Sequence, residues 1–196
     1  MQSKKHKQRL LDALYKQYLE KPQGIVRLPG STTIVFGEGN PDANLMLVGE
    51  APGQQEDEQG RPFVGRSGML LNKVLDVANM PRDEVFITNI VKTRPPNNRK
   101  PTAQEIEASL PLLLDQIKII RPKLICTLGA SSLQGLLGRS VQITKERGKA
   151  LDFMSTKLLP TYHPAYILRN PKELNTLVQD ILSASEIINA ANIEQI

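Results

Sequence analysis

Four short apolar runs, Leu45–Val48, Val85–Thr88, Leu124–Leu128 and Leu158–Thr161, recur along the chain with a helix-length segment between each pair. Each run is too short for a buried helix, and its length suits a strand covered on both faces. The intervening segments carry helical signals. Met69, Leu70, Val74, Leu75 and Ala78 repeat at helical spacing across Ser67–Ala78. Thr102 with Glu105 three residues on forms a capping box for a helix to about Ile120. Ala130–Leu137 and Lys172–Ala191 complete the set. Parallel strands need crossovers of this length, whereas antiparallel ones do not. The expected fold is therefore α/β: three α/β/α layers around a central parallel sheet of about four strands.

Upstream, Leu10, Leu11, Leu14, Tyr15, Tyr18 and Leu19 predict an amphipathic helix that Pro22 ends. Residues 22–31 read as loop, Thr32–Phe36 as β-prone, and Gly37–Asp42 as a turn. With no repeat and no shift of composition, a single domain over 1–196 is expected: helix to 21, loop 22–31, core 32–171, then a C-terminal helix and tail 172–196. Met1–Arg9 is polar and basic, and no window approaches the roughly 18 apolar residues of a membrane span. A cytoplasmic protein with no membrane partner is expected.

Ligands of parallel α/β sheets sit beyond the carboxyl ends of the strands. The first strand runs into Gly49-Glu50-Ala51-Pro52-Gly53, the second into Thr88-Asn89, and the fourth into Tyr162-His163-Pro164. A carboxylate, an amide and an imidazole at three strand ends make a catalytic set, although each also has an ordinary reading. A Gly/Pro loop is commonly a turn, Asn a cap, and His before Pro a turn cap. The first loop has neither a GxGxxG spacing nor a Lys-Ser/Thr ending, and no G-x-S-x-G elbow is present. Nucleotide binding and Ser–His–Asp hydrolysis are thereby disfavoured.

Charge supplies a second line. Lys and Arg number 25 against 20 Asp and Glu. Lys92, Arg94, Arg99 and Lys100 form one basic stretch; Arg139, Lys145, Arg147 and Lys149 form another, and Arg169 follows His163 closely. The stretches follow different strands, so the fold brings them to the sheet end that holds the candidate site. A basic rim around an uncharged pocket suits a phosphate backbone with a base delivered inside.

These residues resemble a known family. Gly49-Glu50-Ala51-Pro52-Gly53, Glu56-Asp57, Gly60-Arg61-Pro62-Phe63-Val64-Gly65 and Gly68-x-Leu70-Leu71 resemble the first motif of the family 4, iron–sulfur type uracil-DNA glycosylases. Thr88-Asn89-Ile90-Val91-Lys92 with Arg94-Pro95-Pro96 and Asn98-Arg99 is similar to their central motif. His163-Pro164-Ala165-Tyr166-Ile167-Leu168-Arg169-Asn170-Pro171 is similar to their second active-site motif, and Phe36–Pro41 and Arg121–Lys123 also fit. The blocks run in order from about Thr32 to Pro171.

The resemblance implies hydrolysis of the N-glycosidic bond of a flipped-out uracil in DNA, initiating base excision repair. It makes Glu50 and His163 the catalytic residues: His163 a donor to the departing uracil, Glu50 a group that activates water or orders the loop. Ala51, Phe63 and Asn89 would bind the base, with Phe63 stacking and the Asn89 amide pairing with O4 and N3–H. Ser67, Lys92, Arg94, Lys145, Leu168 and Arg169 would contact the DNA. The partner implied is uracil-containing DNA, single- or double-stranded, met by a monomer. The alternatives are a DNA-binding relative without catalysis and a glycosylase of altered base specificity.

One departure is plain. The family binds a four-iron, four-sulfur cluster through four cysteines, and this chain has one cysteine, Cys126. Aligned on the motifs, the ligand positions fall at Pro22, Ile25, Thr93 and about Ser109. One thiolate cannot replace four, so a cluster-free enzyme with no metal and no cofactor is expected. Packing by Ile25, Val26 and Leu28 is expected to hold the segment that the cluster would tie.

Overall fold

The structure, a computed structural model, describes residues 3–20 and 28–193. Six strands form one sheet: β1 (Glu38–Gly39), β2 (Leu45–Gly49), β3 (Phe86–Asn89), β4 (Leu124–Leu128), β5 (Leu151–Phe153) and β6 (Thr156–Thr161), in the order β1-β3-β2-β4-β6-β5. The central four are parallel and correspond to the four apolar runs. The two short edge strands are antiparallel. One comes from the segment read as a turn, where Glu38–Gly39 pairs with Ile87 and Phe86. The β-prone stretch Thr32–Phe36 is not a strand. It lies as an irregular strap, with the Val35 amide donating to the Lys92 carbonyl at 2.8 Å.

Period-two alternation builds the layers. Leu45 and Leu47 of β2, Ile87 of β3, Leu124, Cys126 and Leu128 of β4 and Leu159 of β6 face one core. That core also takes Leu71, Val74 and Leu75 of α3 (Arg66–Val77) and Leu177, Ile181 and Ala184 of α8 (Leu174–Ile193). Met46, Val48, Phe86, Ile125 and Leu158 face the other. There they meet Leu11 of α1 (Lys4–Glu20), Leu113 and Ile117 of α4 (Ala103–Ile120) and Leu133 of α5 (Ala130–Leu137). The three layers expected from the sequence are present. The capping box at α4 is formed as well: Thr102 Oγ1 accepts from the Glu105 amide at 3.2 Å, and Glu105 accepts from the Thr102 amide at 2.7 Å. Arg99 pairs with the same carboxylate, holding its pKa down at about 2.

Leu28 is buried in the second core. Pro22, Ile25 and Val26 lie outside the described residues. Just beyond, the buried Asp57 of α2 (Gln54–Gln59) accepts from the Thr32 and Thr33 amides and the Thr32 hydroxyl at 2.9–3.0 Å, pinning the strap. Among the described residues, no helix is long and apolar enough to cross a membrane.

Candidate active site

From β2 the chain crosses to β3 through α3 on one face, and from β4 it enters α5 on the other. Neighbouring connections diverging to opposite faces open a crevice at the carboxyl ends of the strands. A cleft of about 780 Å³ lies there. Glu50 and Ala51 from the end of β2, Asn89 from β3, Gly129–Ser131 from β4 and Tyr162–His163 from β6 line it, joined by Phe63 and Ser67. Across the crevice, the Ser131 hydroxyl donates a short hydrogen bond to Glu50 Oε2. The carboxylate is thus held from the neighbouring strand end.

The amide of Asn89 and the ring of Phe63 converge over Gly49. A Cβ added at Gly49 would lie 2.4 Å from Asn89 Oδ1 and 2.5 Å from Phe63 Cζ, so a side chain here would collide with both walls. Asn89 is 1% exposed. Its Oδ1 and Thr127 Oγ1 are the buried side-chain polar atoms without a hydrogen-bond partner among the described residues. Such an orphaned acceptor costs about 1–3 kcal/mol unless something binds it. Asn89 lines the cleft and Thr127 does not.

Phe63 sits in the left-handed region at φ 50°, which is costly for an aromatic residue. Several groups hold it there. Arg82 donates to the Phe63 and Pro62 carbonyls at 3.2 and 2.6 Å while also bonding Glu38 and Asn72. Glu56 accepts from the Val64 and Gly65 amides at 2.9 and 2.7 Å. Gly68, in the first turn of α3, lets the Phe63 carbonyl approach to where a Cβ would be only 1.8 Å away. Gly68 and Glu56 of the first motif, with Arg82 from outside it, therefore support the ring.

His163 caps α7 (Pro164–Arg169), with Nδ1 accepting from the Ala165 amide at 3.1 Å. The ordinary reading of this residue as a cap is thus satisfied, and it fixes the chemistry of the other nitrogen. An Nδ1 that accepts carries no proton, so the neutral ring bears its hydrogen on Nε2. Burial, and then the Arg169 charge, push the pKa down to about 4. The ring lies 5.7 Å from that of Phe63, tilted by 31°. The cleft thereby holds a neutral imidazole donor that does not ionise at physiological pH.

Of the residues expected to meet DNA, Ser67 and Arg169 line the cleft, and Arg66 and Lys100 join them. Leu168 is 38% exposed on α7, and Lys145 is exposed on α6 (Ile143–Glu146). Arg94 is half-buried, its Nε donating to Asn98 at 2.7 Å. Lys92 is a correction. It is 1% exposed, and its ammonium donates to Thr88 Oγ1, the Asn89 carbonyl and Gln116 Oε1 at 2.6–2.7 Å. Burial pulls its pKa well below the usual lysine value. It points inward because β3 has ended and the chain is turning beneath its own last residues, so it reaches no phosphate. The second basic stretch is also partly spoken for. Arg139 pairs with Glu146, and Arg147 with the buried Asp180 and, by cation–π contact, Tyr162.

Ser131 and Tyr166 line the cleft beyond the residues expected from the sequence, and Tyr162, which stands at the fourth strand end, lines it as well. Ser131 follows the third strand, so its position beyond a strand end is itself a signal.

The two described positions that correspond to cluster ligands do not suit one. Thr93 and Ser109 are 0% and 3% exposed, with hydroxyls where thiolates would be needed. Cys126 is sealed in the sheet's other core, where burial pushes its thiol pKa upward. Among the described residues, no group of three or more His, Cys, Asp or Glu could hold a metal ion.

Residues 36–184 match the pattern of the uracil DNA glycosylase superfamily. A type-4 uracil-DNA glycosylase of Thermotoga maritima is 48% identical over 161 residues, covering 80% of this chain and 84% of the relative. One from Sulfurisphaera tokodaii is 46% identical over 165 residues, covering 80% and 75%. A type-5 uracil-DNA glycosylase of Pyrobaculum aerophilum is 29% identical over 171 residues, covering 78% and 73%. The motif residues gathered at the sheet's carboxyl end and the extent of these matches agree: the chain belongs to the uracil-DNA glycosylase superfamily, on its type-4 branch.

Proposed function

We infer that the chain is a uracil-DNA glycosylase that hydrolyses the N-glycosidic bond of a flipped-out uracil without an iron–sulfur cluster. The observation that supports this reading is the buried Asn89 Oδ1, without a partner among the described residues, beside the Phe63 ring over Gly49, with that ring 5.7 Å from the His163 imidazole. An amide presents an acceptor beside a donor, the complement of uracil N3–H and O4, whereas cytosine offers the reverse pattern. Phe63, held against its own backbone preference, stacks on the base. A uracil in a mismatch leaves the duplex at lower cost than a paired base, so extrusion itself favours damage.

As the bond breaks, charge collects on uracil O2. His163 Nε2–H donates to it, a preorganised contact that strengthens as the transition state forms. Glu50, fixed through one oxygen by Ser131, has its other oxygen for a water or for the cationic sugar. Arg66, Lys100, Arg169 and Ser67 take the phosphates, with Lys145 and Arg94 further out and Leu168 filling the vacated stack. The enzyme works as a monomer in the cytoplasm, as a single domain.

The test is incubation of the chelator-treated protein with a labelled oligonucleotide holding one uracil, followed by alkali. Strand breakage at the uracil is expected. Intact strand with retained DNA binding overturns the reading. Gly49→Ala supplies a geometric check. Its methyl group would fall 2.4 Å from the amide and 2.5 Å from the ring, so excision is expected to fall about 10²-fold, as for misplaced reacting groups in general. Wild-type excision by a folded Gly49→Ala protein would mean that the base does not lie between these walls.

A further inference from the structure

The buried ammonium of Lys92 takes no part in the chemistry above, yet all three of its hydrogens are spent on one small region. Its acceptors are Thr88 Oγ1, the Asn89 carbonyl and Gln116 Oε1, at 2.6, 2.7 and 2.7 Å. None is a carboxylate. Two of the three are themselves fixed, because the Thr88 hydroxyl and the Gln116 amide both donate to the Phe36 carbonyl at 2.8 Å. Neither can turn to donate to the lysine, so each offers it only a lone pair. The lysine backbone closes the arrangement, its carbonyl accepting from the Val35 amide. The last two residues of β3 and a residue of α4 are thus clasped around one nitrogen, and the strap joins them through its Val35 amide and Phe36 carbonyl.

The clasp acts on the residue whose side chain forms the cleft wall. The peptide plane leaving Asn89 is held on both sides, its Ile90 amide donating to the Gly49 carbonyl at 2.9 Å and its carbonyl accepting from Lys92, and this constrains where the Asn89 side chain leaves the strand. Among the described residues, the Asn89 Oδ1 itself has no partner to orient it. We propose that Lys92 is a positioning residue that holds the Asn89 amide in register with the flipped base by gripping its main-chain carbonyl. The proposal rests on the reading that Asn89 recognises uracil. It also explains the use of a lysine here, since a single three-donor group reaches both residues of the strand end and the helix together. Supporting groups of this kind typically change function by about 10–100-fold when removed.

The test is a double-mutant cycle with Lys92→Met and Asn89→Ala, reading kcat on uracil-containing DNA and affinity for DNA bearing an abasic site. Lys92→Met is expected to lower kcat about 10–100-fold, with abasic-site affinity within threefold of wild type. In the Asn89→Ala background, the same change is expected to add less than threefold. Full additivity, or equal losses of kcat and abasic affinity, would show a general structural effect and overturn the proposal. Wild-type excision by Asn89→Ala would instead overturn the underlying reading, a result separate from any behaviour of Lys92→Met. Should Lys92→Met be recovered unfolded, Gln116→Met replaces it. That variant removes one acceptor and leaves the Asn89 contact, so kcat is expected within threefold of wild type at a lower melting temperature; a tenfold loss overturns the proposal.

Discussion

Replacing His163 with alanine is expected to reduce kcat for uracil excision about 10²–10³-fold, the usual effect of losing one preorganised donor to a developing anion. Binding of abasic-site DNA is expected to change little, because the interaction strengthens only as charge appears on the base. The form of the imidazole makes a second, independent forecast. Nδ1 accepts from the Ala165 amide, and burial with the Arg169 charge pushes the pKa down to about 4. The active form is therefore the neutral ring. Activity assigned to His163 should stay level from pH 8 to pH 5 and fall as pH drops through about 4, where protonated Nδ1 would oppose the Ala165 N–H. An inflection near the ordinary histidine value of 6.5 would show that the ring titrates freely and contradict the geometry. Stability follows the same linkage. Above about 6.5 both folded and unfolded chains hold the ring neutral, and this contribution is intact. As pH falls from 6.5 toward 4 the unfolded chain takes up a proton that the folded one refuses, so stability declines.

Asn89→Ala is expected to lower kcat/KM for uracil by at least about 10², since it removes both base-edge contacts at once in a buried wall. Thermal stability gives a contrasting readout. The wild-type amide oxygen is buried without a partner among the described residues, a penalty that the variant no longer bears. Truncation also leaves a small cavity, which costs stability in turn. The two effects oppose each other, so the melting temperature should move far less than the rate. Melting curves and single-turnover excision on one preparation check this. A collapse of stability that matches the loss of rate would mean that Asn89 is a structural residue of β3 rather than a reader of the base.

Much of this was legible in the chain. The four parallel strands follow from apolar runs of four or five residues, because a strand covered on both faces has no need of polar positions. The Thr102–Glu105 cap was legible for a different reason: both of its hydrogen bonds lie within one turn. Glu50, Asn89 and His163 could be found by searching strand ends, since the fold class alone sends those ends to one edge. Ser131 also stands beyond a strand end, but its bond to Glu50, 81 positions away, is visible only in the fold. The edge strands escaped for a related reason. Glu38–Gly39 is β only because β3 presents an open edge to it.

Charge was the least legible feature. A lysine two residues past Thr-Asn-Ile, followed by arginine and two prolines, reads as part of a basic loop. In the folded protein that lysine is the most enclosed cation described, while its neighbour Arg94 stays half-exposed. The three-layer fold class, the family and the lack of a four-cysteine ligand set could all be read from the chain, because they depend on periodicity, motif order and residue identity. The tertiary structure alone decided which polar groups are spent internally and which are left for a ligand. Hydrogen-bond saturation depends on partners brought from distant segments: Lys92 is saturated by three residues, whereas Asn89 Oδ1 beside it has none among the described residues.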